Sequence, residues 1–374
     1  TEKGYLLPLG IFSLVALLIY LDPLLSRSMV HGFDIVDQYF PWRTFLYTEI
    51  FKHHTLPLWN PYVFCGAPFL ANIQTNLFYP PAVLTLLSPS FGITLSVVLH
   101  HILGGLFTYL LCRSFNISMA GAIIGGLIYS FFPVLFRLGY FPGAIMFFHT
   151  GTWLPLIVYF FKKALDTPVD TKALRYALLT GGIIAVQILA GYPEIAFVSQ
   201  VGLLGFALLT PLVARTYTSL RKIVVCLVLA FIVGYSLPAL QLLPTYELAS
   251  FSTRAGGVHL EEAAQMGSQK VITILASFIM PSSKDPGIWG LSFGVGYFYF
   301  ILFVLTGIFT LWPIVSRRFL IFWVILIPAL VLSFGPGTPL YTLLHLLPGI
   351  RFFYASASWL FLVLLCLSAL TGAG

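Results

Sequence analysis

Charge is what this 374-residue chain has least of: 8% of its residues are Asp, Glu, Lys or Arg, where a soluble domain carries roughly 25%. Apolar residues make up 59% and aromatic residues 16%, with a mean hydropathy of +0.96. That excludes a soluble globular protein and indicates a polytopic membrane protein. No stretch shows the alternating ten-residue pattern of an outer-membrane barrel, so the spans are expected to be helices, which satisfy their backbone groups internally. Cysteine is scarce too. Cys65, Cys112, Cys226 and Cys366 are widely scattered, with no C-x-x-C or Cys/His spacing, which argues against a disulfide framework and against zinc. There is no Walker or Rossmann glycine motif and no nucleophile elbow, so a soluble nucleotide donor gets no support. The net charge of +7 makes no case for nucleic acid, because the basic residues fall in short loops between apolar runs.

What is present is a series of apolar runs long enough for membrane spans. Ten are expected, near 5–21, 91–112, 119–136, 152–165, 173–190, 194–214, 222–243, 294–314, 319–334 and 356–374. The fourth and ninth are short, and Pro155 and Pro328 are expected to kink them. Paired glycines at 104–105, 125–126 and 181–182 would let helix backbones approach closely. The first run has no clear A-x-A-like cleavage site after it and reads as a retained anchor. The chain stops at "SALTGAG", inside or at the end of an apolar run, so a C-terminal remainder is expected beyond it.

Basic residues set the orientation. With the N-terminus inside, the short cytoplasmic ends carry Lys3, Arg113, Lys162, Lys163, Lys172, Arg175, Arg215, Arg221, Lys222, Arg317 and Arg318. The outer basic residues, Arg43 and Arg137 among them, are spread over much longer loops. That contrast is the positive-inside pattern. Most acids lie outside: Asp22, Asp34, Asp37, Glu49, Glu194, Glu247, Glu261, Glu262 and Asp285. Polar chemistry therefore faces away from the cytoplasm.

The first outer loop, 22–90, is not a flexible linker by composition. In "FPWRTFLYTEIFKHH", Trp42, Phe45, Leu46, Glu49 and Ile50 recur at helical spacing, which predicts a helix over 36–51 lying along the membrane surface. The Pro-, Trp- and Tyr-rich stretch that follows is expected to be an ordered re-entrant structure. A second outer loop, 244–293, looks like a more mobile cap.

The order Gly32, Asp34, Gln38, Pro41, then "PLWNPYVFCGAPFLANIQTNLFYPP", then "GYPEIAF" resembles bacterial YfhO-like membrane proteins of the GT-C class of glycosyltransferases. The resemblance runs through most of the chain, and its specific part is 31–81. It implies a single GT-C-like domain over 1–374, an all-α bundle whose first outer loop bears the catalytic aspartate beside interfacial helices. It further implies a multi-pass protein of the bacterial inner membrane that acts outside the cytoplasm. A sugar would pass from a polyprenyl-phosphate donor to a cell-envelope polymer or glycolipid, with inversion at the sugar. One family feature departs here: the late arginine- and proline-rich segment reads "LPGIRFFYASAS", with Arg351 as its one basic residue.

Direct displacement at a glycosyl phosphate needs a base for the acceptor hydroxyl and positive charge on the departing phosphate. Asp34 matches the family's aspartate and is the candidate base; Asp37, one helical turn on, is the second catalytic candidate. Together they are the candidates for a divalent cation such as Mg or Mn, although D-x-x-D is a weak metal signal. The competing reading makes both solvated loop carboxylates, one capping the helix. Glu194, after Pro193, either lines the same cavity or favours the positive end of its helix. Arg351 either clamps the lipid phosphate or snorkels to the interface. His31 and His149 are further substrate-binding candidates; Gln38, Trp59, Asn60, Gln74 and Tyr79 match the family pattern and either bind sugar or anchor and pack the loop. His100 and His101, inside a span, are expected to be satisfied core histidines. Two other functions remain open at this level, a lipid or polysaccharide flippase and a non-catalytic envelope-assembly scaffold. The flippase is disfavoured by the near-absence of mid-span charge and the lack of an internal repeat.

Overall fold

The computed structural model describes residues 4–32, 34–135, 145–168, 170–214, 219–253, 255–261, 319–346, 350–353 and 356–374. They form a helical bundle: α1 (Leu6–Ile19), α2 (Leu21–Leu25), α3 (Phe40–Phe51), α4 (Pro89–Ser114), α5 (Met119–Leu135), α6 (Ile145–Gly151), α7 (Leu154–Asp166), α8 (Asp170–Leu189), α9 (Pro193–Ala214), α10 (Leu220–Ser236), α11 (Ala239–Ser250), α12 (Leu320–Ser333), α13 (Pro339–His345) and α14 (Leu360–Ala373). The expected run 294–314 and most of the second outer loop lie outside the described residues.

Helix α4 organises the bundle. Ser88 caps it by accepting from the Phe91 N–H, Pro89 stands where no N–H is needed, and Asn116 takes a left-handed turn just beyond its end (φ 59°). At about 1.5 Å per residue its 26 residues reach roughly 39 Å, enough to cross a bilayer. It packs on α1, α5, α7 and α14, while α8 lies between α7 and α10, and α9 lies against α12. Glycines set the close contacts. A Cβ on Gly105 would stand 2.8 Å from the Phe12 ring, one on Gly126 2.6 Å from the Gly105 carbonyl, and one on Gly181 2.6 Å from the Ala230 carbonyl. Gly182 differs: nothing lies within 4 Å of its Cβ position.

Among the described residues, three helices are long and apolar enough to span a membrane: Pro89–Ser114, Asp170–Leu189 and Pro193–Val213. Leu6–Ile19, Met119–Phe131, Leu320–Ser333 and Leu360–Ala373 are shorter apolar helices. Over the expected span 222–243 the helix is broken: α10 and α11 are apolar and long enough to cross a membrane together, and they meet at a 75° bend. The cause is Pro238 in the junction, which removes a backbone donor and crowds the preceding turn.

The loop 22–90, expected on the outer side, is ordered. It holds α2, a π-helical turn (Ile35–Tyr39) running into α3, an antiparallel pair of two-residue strands (β1 Trp59–Asn60, β2 Ala67–Pro68) and two 3-10 turns (Ile73–Thr75, Pro80–Leu86). Side chains pin it to the bundle. Thr94 on α4 accepts from the Val30 N–H (3.0 Å) and donates to the Ser28 carbonyl (2.8 Å). Asn76 donates to the Leu189 carbonyl (3.1 Å), beside Gly191, whose positive φ of 90° and 2.5 Å clearance to Asn76 admit no side chain. Gln241 and Thr245 on α11 donate to the carbonyls of Leu70 and Ala71.

Candidate active site before the long helix

The acidic motif sits where the helix before α3 is irregular. The Phe40 N–H bonds to the Ile35 carbonyl, one residue further back than in an α-helix, and Pro41 follows with no N–H to offer. The sequence pattern predicts a plain helix here, and the wide turn is new. Asp34 stands at the N-terminus of this turn and does not cap it: its carboxylate makes no cap bond and, among the described residues, has no hydrogen bond or ion pair. It is half-buried. Burial, and then the like charge of Asp37, raise its pKa above the usual carboxylate value. A free, partly dehydrated carboxylate of raised basicity is suited to accept a proton.

Asp37 and Gln38 are exposed on the same turn. His31 is exposed and lines a cavity of about 60 Å³ with Tyr20, Asp22 and Ser28. If the Asp37 charge helps hold up the Asp34 pKa, Asp37→Asn should move the acid limb of a pH–rate profile to lower pH with turnover retained. A limb that stays in place would show that Asp37 does not act on Asp34.

The opposite face of the same turn and helix is buried: Ile35, Tyr39, Arg43 and Leu46. Leu46 belongs to the helical pattern of the sequence, and Arg43 lies outside that pattern. Arg43, 1% exposed, packs inward over the Tyr39 ring at 5.2 Å. Beneath lies a stack of rings that brings Tyr79 and His149 together. The His149 ring stacks on His100 (centroids 3.8 Å), meets Tyr79 at 5.9 Å and takes the edge of Tyr39 at 6.4 Å. The Trp153 N–H donates to the Tyr79 oxygen (2.8 Å). His100 Nδ1–H donates to the Ser96 carbonyl (2.6 Å), which leaves Nε2 to accept the Tyr79 hydroxyl proton. His101 repeats the pattern, with Nδ1–H on the Ser130 carbonyl (2.8 Å) and Nε2 against the Tyr20 hydroxyl (2.9 Å). Both core histidines are thus satisfied.

The remaining candidates have local partners. The Trp59 indole covers Gly66, leaving 2.6 Å where a Cβ would stand. Asn60 Oδ1 accepts from the Tyr62 N–H (2.9 Å). Gln74 is half-buried, and its N–H donates to Asn72 Oδ1 (3.1 Å). Glu194, in the first turn of α9, is buried and lies near Tyr341. Arg351 is exposed beside the Phe352 ring (5.5 Å); its side chain lies over Gly257 and its carbonyl accepts from the Val258 N–H (2.7 Å). Phe353 meets Phe197 of α9 at 5.2 Å, which brings this segment to the end of α9 that carries Glu194. Among the described residues no three His, Cys, Asp or Glu side chains gather as a metal site. Asp34 and Asp37 supply two carboxylates on one turn.

Sequence reasoning missed Tyr39, Arg43 and Trp153. The i, i+4 spacing of Ile35, Tyr39 and Arg43 was the available signal.

No family model and no curated protein matches this chain. Solved structures do. The archaeal oligosaccharyltransferase AglB from Archaeoglobus fulgidus, in complex with an inhibitory peptide and a dolichol-phosphate, aligns over 99% of this chain with a TM-score of 0.57 and 14% identity. This bundle shares the GT-C fold. The apo form of the Archaeoglobus fulgidus oligosaccharyltransferase aligns over the same share, with a TM-score of 0.52 and 14% identity. At that identity the likeness is one of fold, and this chain spans 50% of the length of each of those chains. The expected all-α GT-C-like architecture is thus present.

Proposed function

We propose that this chain is a YfhO-like membrane glycosyltransferase that moves a sugar from a polyprenyl-phosphate carrier to a bacterial cell-envelope polymer or glycolipid, outside the cytoplasm. The observation that carries this reading is Asp34: a half-buried, unpartnered carboxylate of raised pKa on the outer loop of a GT-C bundle. Its oxygen takes the proton of the acceptor hydroxyl, the acceptor oxygen bonds to the anomeric carbon, and the bond from that carbon to the phosphate oxygen breaks with inversion. Arg351, exposed near the outer end of α9, is available to the departing phosphate. The rival flippase would place ionisable groups in mid-membrane. Among the described residues the buried Asp, Glu, Lys and Arg side chains are Arg43 and Glu194, in the outer loop and in the first turn of α9.

The test is transfer by the purified protein in nanodiscs, supplied with labelled polyprenyl-phosphate sugars and envelope acceptors. Labelled acceptor is the expected product. Movement of the lipid between leaflets with no acceptor labelled would favour the flippase.

Orientation is tested separately. Cys65, in the outer loop, is exposed, whereas Cys112, Cys226 and Cys366 are buried. A membrane-impermeant maleimide added to intact cells should label the protein, and Cys65→Ser should abolish that label. Labelling only after the cells are opened would place the loop, and Asp34 with it, on the cytoplasmic face.

A further inference from the structure

Arg43 is a cation buried without its counter-ion. It is 1% exposed, its Nε and Nη2 have no hydrogen-bond partner, and no carboxylate among the described residues pairs with it. The Lys162–Asp166 ion pair lies elsewhere, on α7. Burying an uncompensated guanidinium is costly. Two further orphans lie beside it. The Tyr39 hydroxyl and His149 Nδ1 are each buried with no partner. Tyr39 lies under the guanidinium, and His149 is within electrostatic reach of it.

All three groups can donate. His149 Nε2 faces the Ser96 hydroxyl at 3.4 Å, which frees Nδ1 to carry the ring proton. A guanidinium fork, a phenol and an imidazole N–H with unmet donors suit an anion that carries several acceptor oxygens, and the planar fork matches phosphate. The position fits as well. The Arg43 side chain turns back along its helix to reach the Tyr39 ring, towards the end that carries Asp34. Tyr39 is five residues from Asp34, about 8 Å along a helix at ~1.5 Å per residue.

We propose that Arg43, with Tyr39 and His149, binds a phosphate oxyanion, which under the function proposed above is the phosphate of the lipid-linked donor. The site would hold the departing group from beneath the loop while Asp34 acts from its rim.

Thermal unfolding of the full chain in phosphatidylcholine nanodiscs tests this, with inorganic phosphate, undecaprenyl phosphate or phosphatidylglycerol added in separate arms. Undecaprenyl phosphate should raise the unfolding temperature of the unmodified protein, and Arg43→Gln should weaken that binding roughly 10- to 100-fold. Without ligand, Arg43→Gln should unfold no lower than the unmodified protein, since an unpaired charge has been removed; a purely structural arginine would lower it. Stabilisation by inorganic phosphate that Arg43→Gln abolishes would support a site for the bare anion, and the same result confined to phosphatidylglycerol would assign it to a membrane headgroup. Should Arg43→Gln fail to fold, Arg43→Lys, which keeps the charge without the fork, should bind measurably more weakly. Undiminished binding in whichever variant folds, or no stabilisation of the unmodified protein in any arm, overturns the proposal. Because this readout needs no sugar transfer, binding that stands while transfer fails would count against the proposed reaction alone.

Discussion

Asp34→Asn is expected to slow sugar transfer by about 10²- to 10⁴-fold, the usual contribution of a positioned general base, while binding of the donor is retained. The amide keeps the shape of the carboxylate and loses its ability to take a proton. The substitution is a clean test because Asp34 does little for the fold. It makes no cap bond on the turn it begins and has no partner among the described residues. Its charge is partly stripped of water and repelled by Asp37. Removing that charge should leave the unfolding temperature unchanged or slightly raised, so a slow variant cannot be dismissed as a misfolded one. Asp34→Glu, which keeps the base on a longer arm, should recover part of the rate. A scaffold protein would show no change in either variant.

Gly121→Leu is expected to be the most damaging single change to the bundle, at about 3 kcal/mol or more, the upper end of overpacking costs. A Cβ on Gly121 of α5 would stand 2.0 Å from the Gly372 carbonyl of α14, and a Cβ on Gly372 2.5 Å from the Gly121 carbonyl. Both obstacles are backbone, so no rotamer change relieves them, and the helices must separate. Gly125 repeats the approach one turn on, 2.8 Å from the Ser368 carbonyl, so the separation would spread along the seam. The matched control is Gly182→Leu, where nothing lies within 4 Å. Unfolding in detergent should show a fall of several degrees for Gly121→Leu and little change for Gly182→Leu. Equal stability of the two would mean that α5 and α14 do not meet through their glycines.

Hydropathy made the helices legible, because each apolar run must be long enough to cross a membrane or to fill the bundle, whatever it packs against. It did not show direction. The run 222–243 is apolar from end to end, and a window average carries no record that Pro238 turns the axis by 75°. The order of the loop 22–90 could be read from its prolines and aromatics. Its ties, Thr94 to 28–30 and Asn76 to Leu189, join residues far apart in sequence and leave no local pattern. Arg43 is the instructive miss. An arginine on an amphipathic helix reads as a surface residue, and here it is buried over the Tyr39 ring, with the ring stack below. Tyr79 and His149 were candidates for reasons that did not include one another, and the structure brings their rings together.

The most direct test of the proposed base is the pH dependence of transfer at saturating donor, measured for the unmodified protein and for Asp34→Asn. The expected result is a one-proton rise in rate through a pKa above 3.8, the ordinary value for this side chain, and no such rise in the residual rate of Asp34→Asn. The same rising limb in both proteins would assign the proton to another group and contradict the role given to Asp34.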